Sequence, residues 1–265
     1  MKKSTQRPIA FVLSSTDHGS MLVNRNDYYM HKGIGFGVGY QLFHNSSFEP
    51  TEVDAALQLL QTRRQNFGDG VIALDCGANI GVHTIEWARF MHGWGVVVAL
   101  EAQERIFYAL AGNIALNNCF NARAIWAAVG AKNGSIQVPV PNYLVPSSYG
   151  SLELRKNDHN EFIGQEIDYS DEKTLKTQML SIDGLALARL DFIKIDIEGM
   201  EMEALSGAQN SLKRLKPQLL IEKFKTDETQ LKTFLEKLGY KTFALDINLL
   251  AVHESDPALS TVKIG

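Results

Sequence analysis

The sequence predicts an α/β fold built on a mostly parallel sheet. Two observations predict it. From about residue 67 onward, short apolar runs alternate with amphipathic segments of helical spacing, the pattern of strands joined through helices. The first of those runs ends in a glycine-rich turn, Asp75-Cys76-Gly77-Ala78-Asn79-Ile80-Gly81, that opens directly into a helical segment. Such a junction places a ligand-binding turn at the carboxyl end of a strand.

Val71 to Asp75 reads as a buried strand and Ile80 to His92 as the helix after the turn. A second strand spans Gly95 to Glu101. A second helix spans Glu104 to Asn117, where Ile106, Leu110, Ile114 and Leu116 recur near helical spacing. Ala124 to Val129 gives a third strand. Residues 130–180 break the rhythm with prolines, short β-like pieces and a polar tract from Glu153 to Lys176, too long a segment for a plain connection. Regularity returns with a strand at Phe192 to Ile197, one helix from about Met200 to Leu215, a strand at Gln218 to Glu222 and a last helix from about Asp227 to Leu238. Tyr240 to His253 alternates around Asp246-Ile247-Asn248 and reads as a β-hairpin. Five strands then feed the parallel sheet, and the hairpin adds antiparallel strands at one edge. The expected organisation is an N-terminal lid or accessory region over 1–66 and a ligand-binding domain over 67–265, with a β-rich insertion at about 130–180.

The 265 residues carry 26 Lys+Arg against 30 Asp+Glu, a formal net charge of -4, and 45% are hydrophobic. This balance excludes a disordered tail or a fibre and gives no basic face for nucleic acid. The two cysteines, Cys76 and Cys119, are too few for a disulfide framework, and no Cys/His pattern has zinc spacing. No run nears the roughly 20 apolar residues that span a bilayer. After Met1-Lys2-Lys3 the apolar stretch Pro8 to Leu13 is too short for a secretory signal. The expectation is a cytoplasmic protein that binds neither nucleic acid nor membrane.

In the turn, Gly77 allows a tight bend and close backbone approach, Gly81 lets the following helix pack on the strand, and the helix N-terminus is expected to offer free N–H groups. Glu101 closes the second strand, where an acid can accept from both ribose hydroxyls of an adenosine cofactor. Asn79 stands where the dinucleotide fingerprint has its second glycine, the residue that admits a pyrophosphate. An adenosine cofactor without a pyrophosphate therefore fits better, and S-adenosylmethionine is one. Asp75, Gly77, Ala78, Asn79, Gly81, Glu101, Ala102 and Asp196 are the expected cofactor contacts.

Leu74 to Thr84, LDCGANIGVHT, resembles the cofactor motif of class I S-adenosylmethionine-dependent methyltransferases, in particular the FkbM-type family. Phe48-Glu49-Pro50, Asn113-Ile114-Ala115-Leu116-Asn117, Ser147 to Leu152, Ser181 to Leu185 and above all Ile193 to Glu201, IKIDIEGME, are similar to further motifs of that family. The resemblance covers roughly residues 48–222. It implies a class I, Rossmann-like methyltransferase fold, S-adenosylmethionine as cofactor, and O-methylation of a hydroxyl on a sugar or secondary-metabolite acceptor. Two departures stand out. Ala102-Gln103 follow Glu101 where the family usually has a proline pair, and Lys223-Phe224 follow Glu222 where many relatives carry a histidine.

Asp196 and Glu198 are the expected catalytic residues: carboxylates at a strand end beside the turn, two positions apart and so on one side of an extended chain. Glu198 is read alternatively as a cap of the next helix. Lys194 is placed on the opposite face, as a sheet-end charge or half of an ion pair. Glu222 is placed at the same sheet edge, and His83 toward the cofactor carboxylate. No metal is expected, because no further oxygen cluster accompanies the pair. Lys32 to Tyr40, KGIGFGVGY, alternates Gly33, Gly35, Gly37 and Gly39, which in a strand leaves one bare face for a backbone or flat ligand; with Tyr28, Tyr29 and Phe43 it is read as a lid over the acceptor. The rival readings are a nicotinamide-dependent oxidoreductase and a non-catalytic module with a methyltransferase fold.

Overall fold

The computed structural model describes residues 7–260; the basic start Met1-Lys2-Lys3 lies outside them. A hairpin of β1 (Phe11–Thr16) and β2 (Gly19–Asn24) leads through a short ribbon, β3 (Tyr29–His31) and β4 (Ile34–Phe36), into α1 (Val38–Asn45) and α2 (Pro50–Phe67). The α/β body follows: β5 (Val71–Cys76), α3 (Val82–Phe90), β6 (Gly95–Glu101), α4 (Glu104–Leu116) and β7 (Ala122–Trp126). Then come β8 (Ala128–Val129), β9 (Gly134–Pro139) and β10 (Thr174–Leu180), and after them β11 (Phe192–Ile195), α5 (Glu201–Ser206), α6 (Gln209–Leu215), β12 (Gln218–Glu222), α7 (Glu228–Glu236), β13 (Tyr240–Leu245) and β14 (Asn248–His253).

The main sheet has seven strands in the order β13-β14-β12-β11-β5-β6-β7. The five expected strands pair in parallel, β12 through β7. β14 runs antiparallel to both β12 and β13, so β13 points the same way as the five. The hairpin thus inserts its second strand beside β12 and sends its first to the edge. Chain order reverses between β5 and β11, and in open α/β sheets ligands bind at that switch point, beyond the carboxyl strand ends.

The strands are buried on both faces, as their near-continuous apolar runs require. Val71, Ala73, Phe192 and Leu220 face one core with α2 and α3, and Leu74, Cys76, Ile193, Ile195 and Ile221 face the other with α5 to α7. Met21, Val23, Leu42, Val53 and Leu60 from the first 66 residues join the former core. At the amino ends of β11 and β12, buried Arg63 donates to Asp256 Oδ2 at 2.8 Å and to Asp191 Oδ1 at 3.3 Å, tying α2 to both the sheet and the last turn.

Several elements differ from expectation. The stretch 124–129 splits: β7 stays in the main sheet, while β8 joins β10 and β9 in a three-stranded sheet formed with the 130–180 insertion. The helix expected over 200–215 is interrupted at Gly207 and Ala208; a Cβ at Gly207 would sit 2.3 Å from Gly130 O, and the Gly207 carbonyl accepts from Asp183 N. In KGIGFGVGY only Ile34–Phe36 is a strand, and a helix begins at Val38. The bare face does meet a backbone, but from that helix: a Cβ on Gly39 would lie 2.8 Å from Asn24 O. Gly81 makes room for Leu110 of α4, 2.6 Å from its would-be Cβ, not for a strand. Among the described residues no helix is long and apolar enough to cross a membrane.

Candidate functional site

A cavity of about 350 Å³ opens at the carboxyl edge of β5, β6, β11 and β12. Its walls are the Asp75–Ile80 turn, Glu101 to Gln103, Asp196 to Glu198, and Ser148 with Gly150 to Leu152. Gly35 to Val38 with Gln41 close another side. All the sequence-expected cofactor positions except Gly81 line it, and so do Asp196, Glu198, Lys194, His83 and Glu222.

The turn is built by its own hydrogen bonds. Gly77 N and Ala78 N both donate to Leu100 O, and Gly81 N to Ala78 O. Asn79, in the left-handed region at φ 51, donates its amide to Glu101 Oε2 at 2.9 Å, and its side chain accepts from Ile80 N. The amides of 77–81 are therefore all engaged within the turn; the N–H groups expected to be free belong to the first helical turn, which starts at Val82. The turn itself leaves no amide of 77–81 for a phosphate. Gly77, at φ 80, lines the cavity and is also required by the protein itself: its would-be Cβ falls 1.8 Å from the Asp196 carbonyl oxygen. Two polar groups remain turned to the cavity. Asp75 accepts from Thr84 Oγ1 through Oδ2 at 2.6 Å, while its buried Oδ1 has no hydrogen-bond partner among the described residues. Glu101 is 6% exposed. Burial pushes its carboxyl up to about 7, against the bonds from Gln103 N and Asn79 N.

The other end of the cavity is acidic. Lys194 Nζ donates to Asp196 Oδ2 at 2.6 Å, so the two share a face and the opposite-face assignment of Lys194 is corrected; positions two apart in a strand point the same way. Burial opposes charge on Lys194, but Asp196, Glu52 and Asp75 outweigh it and hold the ammonium well above its ordinary range. β11 ends at Ile195, and Glu198 lies in a turn at φ 54. It does not cap the next helix: Glu201 Oε1 accepts from Ile197 N and Gly199 N, each at 3.1 Å. Glu198 instead pairs with Lys225 Nζ at 2.6 Å. Burial and Asp196 nonetheless push Glu198 up, and the same two causes raise Glu222 to about 8. Asp196, Glu198 and Glu222 bring a carboxylate oxygen each within 4.8 Å of one another, an oxygen cluster the sequence reading did not foresee.

Opposite them, Glu49, Glu52 and His83 form a second such group. Burial and the neighbouring Glu52 push Glu49 up to about 7. Glu52 goes the other way: contacts with His83, Lys194 and Asn248 overcome burial and hold it at about 2. Glu52 and Lys225 were missed. Each sits on an element distant in sequence from the motifs it touches, and the only local signal was Glu49, inside Phe48-Glu49-Pro50. The Ser148–Ser151 segment was legible: Gln103 Nε2 donates to Tyr149 O at 2.9 Å, locking the insertion against the end of β6.

Seven strands with one antiparallel member beside β12, and a cavity over the switch point lined by a glycine turn and an acid from the next strand, define an α/β methyltransferase fold. The sequence profile of the methyltransferase FkbM domain matches residues 75–242. The chain belongs to that family and is a methyltransferase. It is 26% identical over 186 residues to Methyltransferase 1 of Beauveria bassiana (strain ARSEF 2860), covering 66% of this chain and 74% of that protein. It is 24% identical over 196 residues to Methyltransferase sdnD of Sordaria araneosa, covering 66% and 75%. The crystal structure of methyltransferase FkbM from Methylobacillus flagellatus KT aligns with a TM-score of 0.49 at 19% identity, over 72% of this chain and 47% of that one; this chain spans about half the length of that structure.

Proposed function

We propose that the chain transfers a methyl group from S-adenosylmethionine to a hydroxyl oxygen of a small-molecule acceptor, a sugar or natural-product hydroxyl. The observation that carries this is the pairing of the engaged turn with Glu101. A turn whose amides of 77–81 are all engaged suits an adenosine cofactor that has no phosphate, while each Glu101 oxygen, already accepting one backbone N–H, keeps a second lone pair for a ribose hydroxyl. The unpartnered Asp75 Oδ1 suits an ammonium such as that of the cofactor's amino-acid tail. The same observation weighs against a nicotinamide dinucleotide, and family membership weighs further against it.

When bound, the cofactor supplies an electrophilic methyl group on sulfur. Asp75, Gly77, Ala78, Asn79, Glu101 and Ala102 hold the adenosine and tail end, with Gly81 shaping the turn from outside the cavity. Asp196 faces the acceptor and takes or steadies the hydroxyl proton as the oxygen attacks, with Lys194 fixing its orientation. Glu198 orders the wall through Lys225. Alignment of acceptor and donor in a walled cavity contributes several kcal/mol to the rate. Calorimetry with S-adenosylhomocysteine, followed by a methyl-transfer screen over hydroxylated sugars and polyketides, tests the reading. Absence of cofactor binding removes it, and binding without transfer to any acceptor supports the non-catalytic rival.

A further inference from the structure

We propose that Glu49, Glu52 and His83 form a divalent-cation site in the cavity wall, suited to a first-row transition ion such as Mn²⁺. Their ligand-type atoms lie within 4.8 Å of one another, and Glu49 and His83 both line the cavity. His83 is 5% exposed. Neither of its ring nitrogens, nor Glu52 Oε1, has a hydrogen-bond partner among the described residues. Yet His83 Nε2 is only 3.1 Å from Glu52 Oε1, close enough for an ion contact without the alignment of a hydrogen bond. Two ligand atoms about 90° apart, each about 2.1 Å from one ion, are about 3 Å from each other. The pair has the spacing of neighbouring ligands of one ion.

The surroundings support the assignment. Asn248 Nδ2 donates to Glu52 Oε2 at 2.6 Å, which turns Oε1 toward His83, the kind of outer contact that orients a metal ligand. Lys194 is the cation nearest the group, and it sits 2.6 Å from Asp196 Oδ2 but 3.9 Å from Glu52 Oε1. The Asp196–Glu198–Glu222 cluster is different. There Lys194 and Lys225 already pair with two of the three acids at 2.6 Å. An imidazole beside two carboxylates favours Mn²⁺ or Zn²⁺ over the all-oxygen preference of Mg²⁺. Three protein ligands leave positions facing the cavity for water or a substrate oxygen. The assignment departs from the metal-free expectation and does not rest on the identity of the methyl donor.

Calorimetric titration of the chelator-treated full chain with Mn²⁺ tests it. One saturable site is expected, weakened about 10-fold or more by Glu49→Gln and by Glu52→Gln and little changed by Glu198→Gln. Electron spin-echo spectra of bound Mn²⁺ are expected to show nitrogen modulation that His83→Gln removes. Glu49→Gln, a partly exposed position, keeps the test informative if the His83 variant fails to fold. S-adenosylhomocysteine affinity, measured alongside, reports on the donor site separately. Absence of saturable Mn²⁺ binding overturns the proposal, as does binding lost in Glu198→Gln but retained in Glu49→Gln.

Discussion

Lys194 and Asp196, two positions apart at the end of β11, form a 2.6 Å hydrogen-bonded ion pair whose lysine is buried and whose carboxylate faces the cavity. The lysine fixes one oxygen of a carboxylate that lines the cavity. Asp196→Asn is nearly isosteric and removes the charge that this arrangement presents. Turnover is expected to fall about 10²-fold or more, with fold and cofactor affinity largely intact. Single-turnover methyl transfer at saturating cofactor measures it; wild-type turnover would take Asp196 out of the chemistry. Glu198→Gln is expected to cost less, because Glu198 is engaged by Lys225.

Glu101→Gln is expected to weaken cofactor affinity roughly 10- to 150-fold, the range for losing hydrogen bonds to a charged group. It should also change how the stability of the cofactor-free protein depends on pH. The folded carboxyl titrates at about 7, above its ordinary 4.5, so its proton is held more tightly in the folded state. The stability linked to that proton is present below the ordinary value and lost as pH rises through about 7. The variant carries no such loss, although its amide nitrogen cannot accept the bond that Asn79 N or Gln103 N makes to one Glu101 oxygen. Its stability relative to wild type, read from thermal midpoints, should therefore rise by on the order of 1–3 kcal/mol between pH 5 and pH 8, on top of a pH-independent cost for that lost bond. A pH-independent difference between the two proteins would contradict this.

Gly77→Ala is expected to damage the fold rather than binding alone. The added Cβ would fall 1.8 Å from the Asp196 carbonyl oxygen, on a backbone at φ 80. Either β5 and β11 separate at their carboxyl ends or the turn rebuilds. Urea unfolding should show a loss of several kcal/mol; normal stability with lost cofactor affinity would restore the ligand-approach reading of this glycine.

Arg63→Leu removes the guanidinium shared by Asp191 and Asp256. Arg189 still bonds Asp191 and Gln218 still bonds Asp256, which places the cost near the lower end of the roughly 3–5 kcal/mol for breaking a buried pair. Denaturant unfolding at pH 7 measures it, and a loss under about 1 kcal/mol would show that the remaining partners suffice.

The sheet was legible because its strands are buried on both faces. A run such as Gln218–Glu222 has no polar interruption to blur its ends, and strand and expectation coincide there. The break at Gly207 was not legible, since one glycine in an amphipathic pattern is tolerated in a helix; the close passage of Gly130 there is a contact between segments far apart in sequence. The turn and Glu101 at the cavity wall were readable from short spacing along one strand–turn–helix unit. The acidic wall was not. Glu52, Lys194 and Glu222 come from three separate elements and Lys225 from the segment after β12, and their contacts exist only after the sheet order brings these together.

The insertion of β14 between β12 and β13 makes the acidic wall of the cavity depend on a strand synthesised after every other strand of the main sheet. Until Asn248 emerges, β12 is an unpaired sheet edge and Glu52 lacks its 2.6 Å contact. Until Asp256 emerges, Arg63 lacks one of its two anions. A nascent chain, or one stopped by premature termination after α7, would expose the ladder of Gln218–Glu222, whose residues are almost wholly buried in the finished sheet. Exposed apolar edges of that kind recruit other strands. Quality control in the cell would therefore meet an aggregation-prone intermediate rather than a shortened enzyme.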